Sequence, residues 1–302
     1  MHTDTSASGV LVLSGRVLPL ADRVHVMGVL NLTPDSFSDG GRYANPDAAV
    51  AHALSMVEQG ADVLDIGAES TRPGAVPIDE EEECRRLIPV VRAICRQTTI
   101  PVSIDTMKAS VAQQALDVGA ALINDVSALR FDARMGDVVA KSGAGLILMH
   151  MRGTPQTMRN AAQYTDVVNE VREFLKARLE AAKGAGIHPA SIVLDPGIGF
   201  GKNCEHNLVL LDRLDAFHTL GRPLVVGVSR KAFIGKILGR PIDERLMGTA
   251  GAVAVAVMKG ARMVRVHDVA PIRDVVNMID AIQSHQPSAS VRAGNRPLKA
   301  EY

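Results

Sequence analysis

A set of polar residues in this 302-residue chain closes one apolar run after another: Asn31, Glu69 to Arg72, Asp105, Asn124 with Asp125, His150, Asp195, Ser229 to Lys231, and Arg265, His267 and Asp268. Their types allow two kinds of chemistry. Carboxylates beside an asparagine can read a planar, amide-rich heterocycle through paired donors and acceptors. Lys231, Arg265 and His267 can hold an anion such as phosphate or carboxylate. Taken singly, an aspartate after a strand is more often a turn or a cap. The inference rests on the repetition.

Other signals lead elsewhere. DPGIGFGK, Asp195–Lys202, resembles a phosphate loop but lacks its spacing: Pro196 stands where the first glycine belongs and Asn203 follows Lys202. Its glycines read as positions where backbone approaches a flat ligand. A strand-end lysine such as Lys231 is more often an anion contact than a Schiff base. His150 reads as packed or capping, and Cys204 has no nucleophile context. Glu80–Glu83 reads as a solvated first helical turn. Met149 and Met151 suit core filling or a flat ligand equally.

The elements that must position these residues repeat. Apolar runs cover Val24–Asn31, Ala61–Ser70, Pro101–Thr106, Ala121–Val126, Gly145–His150, Ser191–Gly197, Pro223–Ser229 and Met263–Val269. Their lack of strict alternation suits parallel strands covered on both faces. Helical stripes lie between them: Val50, Leu54 and Val57, with Asn45 as N-cap and Pro46 as first helical residue; Leu87, Val90, Val91 and Ile94 behind a capping box of Asp79 and Glu82; Val168, Val171, Leu175 and Leu179; and Ile272, Val275, Val276 and Ile279. Gly-Ala pairs at 60, 119, 143, 184 and 260 read as left-handed helix ends. This βα alternation predicts a (β/α)8 TIM barrel over 11–285 as one domain, with an open doubly wound sheet as the alternative. Leu11–Leu20 reads as a hairpin closing the barrel bottom. Residues 1–10 and 286–302 read as disordered ends. In such a barrel the strand ends meet at one mouth.

Bulk composition excludes several classes. Lys+Arg and Asp+Glu number 33 each, aromatics are 3% and Trp is absent, which argues against nucleic acid as partner. The three cysteines form neither a disulfide framework nor a zinc pattern. No apolar run approaches the ~20 residues of a membrane helix. A cytoplasmic protein without membrane contact is expected.

Read together, MGVLNLTPDSFSDGG, ESTRPGA, SIDT, IND, DPGIGFGK, GVSRK and RVHDV, spread over about Val26 to Ile282, resemble bacterial dihydropteroate synthases. The resemblance implies a (β/α)8 barrel, a homodimer, and condensation of 6-hydroxymethyl-7,8-dihydropterin diphosphate with 4-aminobenzoate, with sulfonamides as inhibitors. It implies a pterin slot of Asp105, Asn124, Val126, Met149, Asp195, Phe200, Gly227 and Lys231. Asn31, Arg265 and His267 would hold the diphosphate, with Mg²⁺ on Asn31. Asp105, Lys231, Arg265 and His267 would carry the catalysis. Phe37, Asp39, Thr71, Arg72 and Pro73, on two loops, would enclose aminobenzoate beside Ser229, Lys231 and Ala232. Many members have Ser where Ala232 stands, so backbone N–H groups would take over that carboxylate contact. The rival readings are a pterin-binding methyltransferase barrel and a catalytically silent paralogue.

Overall fold

The first segment, VLVLSGRVLP, alternates side chains about Ser14-Gly15, both left-handed, and folds into a hairpin of β1 (Val10–Leu13) and β2 (Arg16–Pro19). The computed structural model describes residues 9–33, 46–72, 74–158 and 160–285. After the hairpin, strands and helices alternate: β3 (His25–Asn31), α1 (Pro46–Glu58), β4 (Val63–Gly67), α2 (Glu80–Gln97), β5 (Val102–Asp105), α3 (Ala109–Asp117), β6 (Leu122–Asp125), α4 (Met135–Ser142), β7 (Gly145–Met149), α5 (Val167–Gly184), β8 (Ile192–Asp195), α6 (Cys204–Asp212) and β9 (Val225–Gly227). Two helices then follow in succession, α7 (Ala232–Leu238) and α8 (Leu246–Met258), before β10 (Met263–Val266) and α9 (Val269–Ser284).

The eight longer-range strands pair in parallel in the order β8-β7-β6-β5-β4-β3-β10-β9. The two ends meet through a parallel bridge between Leu194 and Leu224, with the Leu194 N–H donating to Pro223 O at 3.0 Å. The sheet is therefore a closed (β/α)8 barrel in one domain, and the open-sheet alternative falls. Buried apolar faces of the helices pack on its outside.

A separate apolar cluster fills the barrel's lower interior. Met27, Val63, Leu122, Ile147, Val193, Val225 and Met263, from seven different strands, pack with Leu11, Leu13 and Leu20 of the hairpin segment. The hairpin is the bottom plug that the sequence pattern predicts. It sits close: a Cβ on Gly145 would lie 2.3 Å from the Leu13 side chain.

Four local expectations need correction. Asp79 does accept from the Glu82 N–H at 2.8 Å, but the Glu82 carboxylate turns to Arg85 and Arg86, leaving half a capping box. The complete box is at α6, where Asn203 and His206 cap each other. Gly184 is not the left-handed residue after α5; Gly186 is, two positions later. Glu83 is fully buried rather than solvated, because Lys108 reaches it. Asn45, as N-cap of α1, and residues 1–8 and 286–302 lie outside the described residues, whereas Val10, inside the expected disordered end, opens β1.

Because Leu13 fills the plug far from the strand ends, Leu13→Ala is expected to cost about 2–5 kcal/mol through the cavity it leaves. Denaturant unfolding measures that loss, and turnover per folded molecule should stay unchanged.

Candidate active site

Side chains two residues apart on a strand face the same way. Two positions beyond the apolar bottom layer, the interior turns polar. Val63 leads to Asp65, Leu122 to Asn124, Ile147 to Met149, Val193 to Asp195, Val225 to Gly227 and Met263 to Arg265. The same face of β5 carries Ser103 and then Asp105. The site is thus the upper layer of the barrel interior.

Arg265 organises this layer. Its Nε donates to Asp65 Oδ2 at 2.5 Å and its Nη2 to Asp105 Oδ2 at 2.9 Å. Asn124 Nδ2 donates to the same Asp65 oxygen at 3.0 Å. Asp65 Oδ1 and Asp105 Oδ1 are buried and have no hydrogen-bond partner among the described residues. They are enclosed acceptors that the described residues leave unpaired. Burial pushes the Asp105 carboxyl above its usual range, with Arg265 opposing. Asp65 is the residue that sequence reasoning missed. It lies inside the run ADVLDIGAES rather than at its end, and the period-two alternation was the available signal.

Asp195 and Lys231 form a second group. Asp195 Oδ1 accepts from the Gly197 N–H at 2.7 Å, and burial raises its pKa against the pull of Lys231. Lys231 Nζ donates to Ile198 O and lies 4.6 Å from the Phe200 ring centroid. Burial lowers the Lys231 pKa to about 8, with Asp195 resisting. Gly227 lies against both cations: a Cβ there would stand in ordinary contact, 3.8 Å from Lys231 Nζ and from Arg265 Cβ. An apolar wall adjoins them, with Val126, Met149 and Phe200 in one small cluster with Met107, Met151 and Met158.

Lys202 is no phosphate-loop lysine. It is buried, donating to Gly197 O at 2.9 Å and Phe200 O at 3.0 Å, and it meets His150 Nδ1 at 2.8 Å. His150 packs edge-on to Phe174, as a core histidine. Two glycines of DPGIGFGK face protein, while Gly199 lies against the Lys231 side chain. Gly197 and Gly201 are left-handed, and a Cβ on them would strike His150 O at 1.9 Å and Arg152 O at 2.5 Å. They let the loop lie against the chain leaving β7.

Ser229 Oγ accepts from the His267 backbone N–H at 3.2 Å and lies 3.0 Å from its Nδ1. Using each group once, the hydroxyl donates to Nδ1 and the ring proton sits on Nε2. Burial, reinforced by Arg265 and Arg230, lowers the His267 pKa to about 4. His267 is therefore neutral at pH 7 in the free site and offers a hydrogen bond. Arg230 is held left-handed by a two-point ion pair with Asp268.

Asp125 is a turn cap. Its carboxylate accepts from the Ser127 and Leu129 N–H groups at 2.8 and 2.7 Å, supporting left-handed Ala128 and Leu129. Asn31 ends β3, half-buried, opposite Gly67. Thr71 and Arg72 lie on the loop after β4, where Gly74 N–H donates to Pro155 O at 3.2 Å. Ala232 opens α7. Phe37, Asp39 and Pro73 lie outside the described residues.

Residues 27–267 match the family model described as pterin binding enzyme. A dihydropteroate synthase of Synechocystis is 47% identical over 86% of this chain and 90% of its own length. That of Escherichia coli is 44% identical over 86% and 92%. Among solved structures, the Yersinia pestis dihydropteroate synthase with a sulfonamide drug complex superposes with a TM-score of 0.87 at 41% identity, covering 91% of this chain and 99% of that one. The Xanthomonas albilineans synthase with 4-aminobenzoic acid gives 0.86 at 46% identity, covering 92% and 99%. A barrel whose upper interior layer pairs carboxylates and an amide with half-buried cations, in a chain alike along nearly its whole length, belongs to the dihydropteroate synthase family of pterin-binding enzymes.

Proposed function

We propose that this chain condenses 6-hydroxymethyl-7,8-dihydropterin diphosphate with 4-aminobenzoate, releasing pyrophosphate and forming 7,8-dihydropteroate for folate biosynthesis. The observation that carries this reading is the single layer in which buried acceptors (Asp105, Asp195), a buried amide (Asn124) and half-buried cations (Lys231, Arg265) share one mouth. Asp195 takes the 2-amino/N3 edge of the pterin, which presents two parallel donors to a carboxylate. Lys231 faces the ring's carbonyl side. Val126, Met149, Phe200 and Gly227 flank the ring.

Arg265, with His267 as a neutral donor and Asn31 beside them, holds the diphosphate. Mg²⁺ supplies further neutralisation of the leaving diphosphate when it is bound there. Asn31 would add one ligand to an ion that phosphate oxygens and water would mainly hold. As pyrophosphate departs, the pterin methylene becomes a delocalised cation that the Asp105 carboxylate stabilises. The arylamine is already unprotonated at neutral pH, so it attacks without a general base. The substitution is SN1-like. Thr71, Arg72, Phe37, Asp39 and Pro73 close over the aminobenzoate, with Ser229 and the backbone at Ala232 near its carboxylate. Sulfonamides, which imitate aminobenzoate, would compete there.

A homodimer is supported by α8, which carries no charged residue and leaves Met247, Gly251, Val255 and Met258 exposed along one stripe. Among the described residues, no helix is long and apolar enough to cross a membrane, and the cytoplasm is the proposed location. The diphosphate-holding set argues against a methyltransferase barrel. The intact Asp105, Lys231 and Arg265 argue against a silent paralogue.

Three measurements check the reading. In a coupled pyrophosphate assay, sustained release should need both substrates and Mg²⁺; pterin binding without turnover would favour the silent paralogue. Arg265→Ala should weaken the diphosphate-bearing pterin about 10- to 100-fold more than pterin alone, the range of a lost charge-assisted hydrogen bond. Calorimetry of both ligands decides, and equal losses contradict the role. For pH, the working Lys231 is protonated and its folded pKa is depressed to about 8. Accordingly kcat/KM for the pterin diphosphate should fall as pH rises through that value, and should also fall as pH drops through about 7, where burial brings the Asp105 carboxyl to protonation. Lys231→Arg keeps its charge, so the alkaline limb should move upward in that variant's pH profile.

A further inference from the structure

One buried ionic group beside the mouth has no part in the reaction as described. The segment from Glu69 to Ile78 leaves the top of β4 and returns to α2. Its two ends are clasped together: Glu69 Oε1 accepts the Ile78 N–H at 3.1 Å. The Lys108 ammonium completes the clasp, donating to Glu69 Oε2 at 2.8 Å, to Ile78 O at 2.8 Å and to Glu83 Oε2 at 2.5 Å. Three protons meet three acceptors, two on the loop's ends and one on the first turn of α2. Lys108 itself stands three residues beyond Asp105, its side chain 7% exposed, and Glu83 is fully buried.

Folding gives weak grounds for such a group. Burying two carboxylates and an ammonium costs desolvation that apolar residues of similar size would avoid. What the group does achieve is positional. Within the clasped segment Ala75 N–H donates to Arg72 O at 3.0 Å, and Arg72 N–H to Ser70 Oγ at 3.4 Å. The clasp therefore sets where Thr71 and Arg72 stand relative to the mouth.

We propose that Lys108 is a positioning residue whose ammonium staples the two ends of the Glu69–Ile78 loop and so fixes Thr71 and Arg72 over the aminobenzoate end of the site. The assignment of that end rests on the reaction proposed above. The staple predicts a split effect. Loosening the loop should harm aminobenzoate capture and water exclusion, while the pterin slot, built on other strands, is spared.

The test compares Lys108→Met and Glu83→Gln with wild type, each at matched folded fraction by circular dichroism. In Lys108→Met, amide hydrogen exchange at Ile78 and through the loop should quicken about 10-fold or more without any substrate. KM for aminobenzoate should rise by a similar factor, KM for the pterin diphosphate should change less than about 3-fold, and pyrophosphate should exceed dihydropteroate as water intercepts the cation. Glu83→Gln leaves Lys108 on both loop ends and should behave nearly as wild type. Unchanged loop exchange in Lys108→Met, equal rises in both KM values, or a full effect from Glu83→Gln overturns the staple. A wild-type protein that releases no pyrophosphate sinks the reaction instead, and the exchange data still decide the staple.

Discussion

The mouth exists because a sheet of eight strands closes, and it closes through a short seam. β8 and β9 meet at one parallel bridge, Leu194 with Leu224, supported by Leu194 N–H on Pro223 O and by the Arg222 Nε donating to Ile192 O at 3.1 Å. β9 is only three residues long, so the Arg222 side chain supplies a bond next to that limited pairing. Without this seam, Asp195 on β8 and Lys231 just beyond β9 would lie on opposite edges of an open sheet. With it, they share a wall, and Arg265 on the neighbouring strand faces Asp65 and Asp105 from across the ring.

Closure also creates the electrostatic problem that the site solves. A closed interior has little water, so each carboxylate placed there is pushed toward its neutral form and each lysine toward its own. The structure answers with sharing. Arg265, which cannot give up its proton, spans Asp65 and Asp105 and remains charged. Lys231 stands among a backbone carbonyl, an aromatic face and Asp195, and its pKa falls to about 8. His267 has Arg265 and Arg230 near it and stays neutral. The layer thus keeps unsatisfied acceptors beside committed cations, a preorganised field rather than a set of loose charges.

Much of this was legible in the residues, for a physical reason. Parallel strands buried on both faces leave uninterrupted apolar runs, and barrel strands end in polarity because their C-terminal ends meet the solvent-filled mouth. Hence all eight strands and Asn31, Asp105, Asn124, Asp195, Lys231 and Arg265 could be picked out by position. Asp65 could not be found by that rule, since it lies mid-strand and only alternation with Val63 and Gly67 marks it. Lys108 and Glu83 were hidden differently. An acidic first helical turn usually faces water, and no local pattern tells that one of its glutamates meets a lysine 25 positions away. Lys202 could be set aside as a phosphate-loop lysine from spacing alone, but its actual partners, main-chain carbonyls and the His150 ring, are contributed by the fold and carry no local pattern.

The barrel divides its work along its axis, and the division constrains how the reaction can be protected from water. Below, Leu11, Leu13 and Leu20 seal an apolar layer that needs no ligand to be satisfied. Above, the polar layer is incomplete by itself, since Asp65 Oδ1 and Asp105 Oδ1 stay unpaired among the described residues. Water enters such a mouth as readily as substrate. The strands cannot exclude it, because their ends define the opening. Exclusion has to come from the loops above them, and a loop can exclude water only if its base is held. That is why an ion-paired clasp at the root of the Glu69–Ile78 segment belongs to the chemistry of the mouth as well as to the fold.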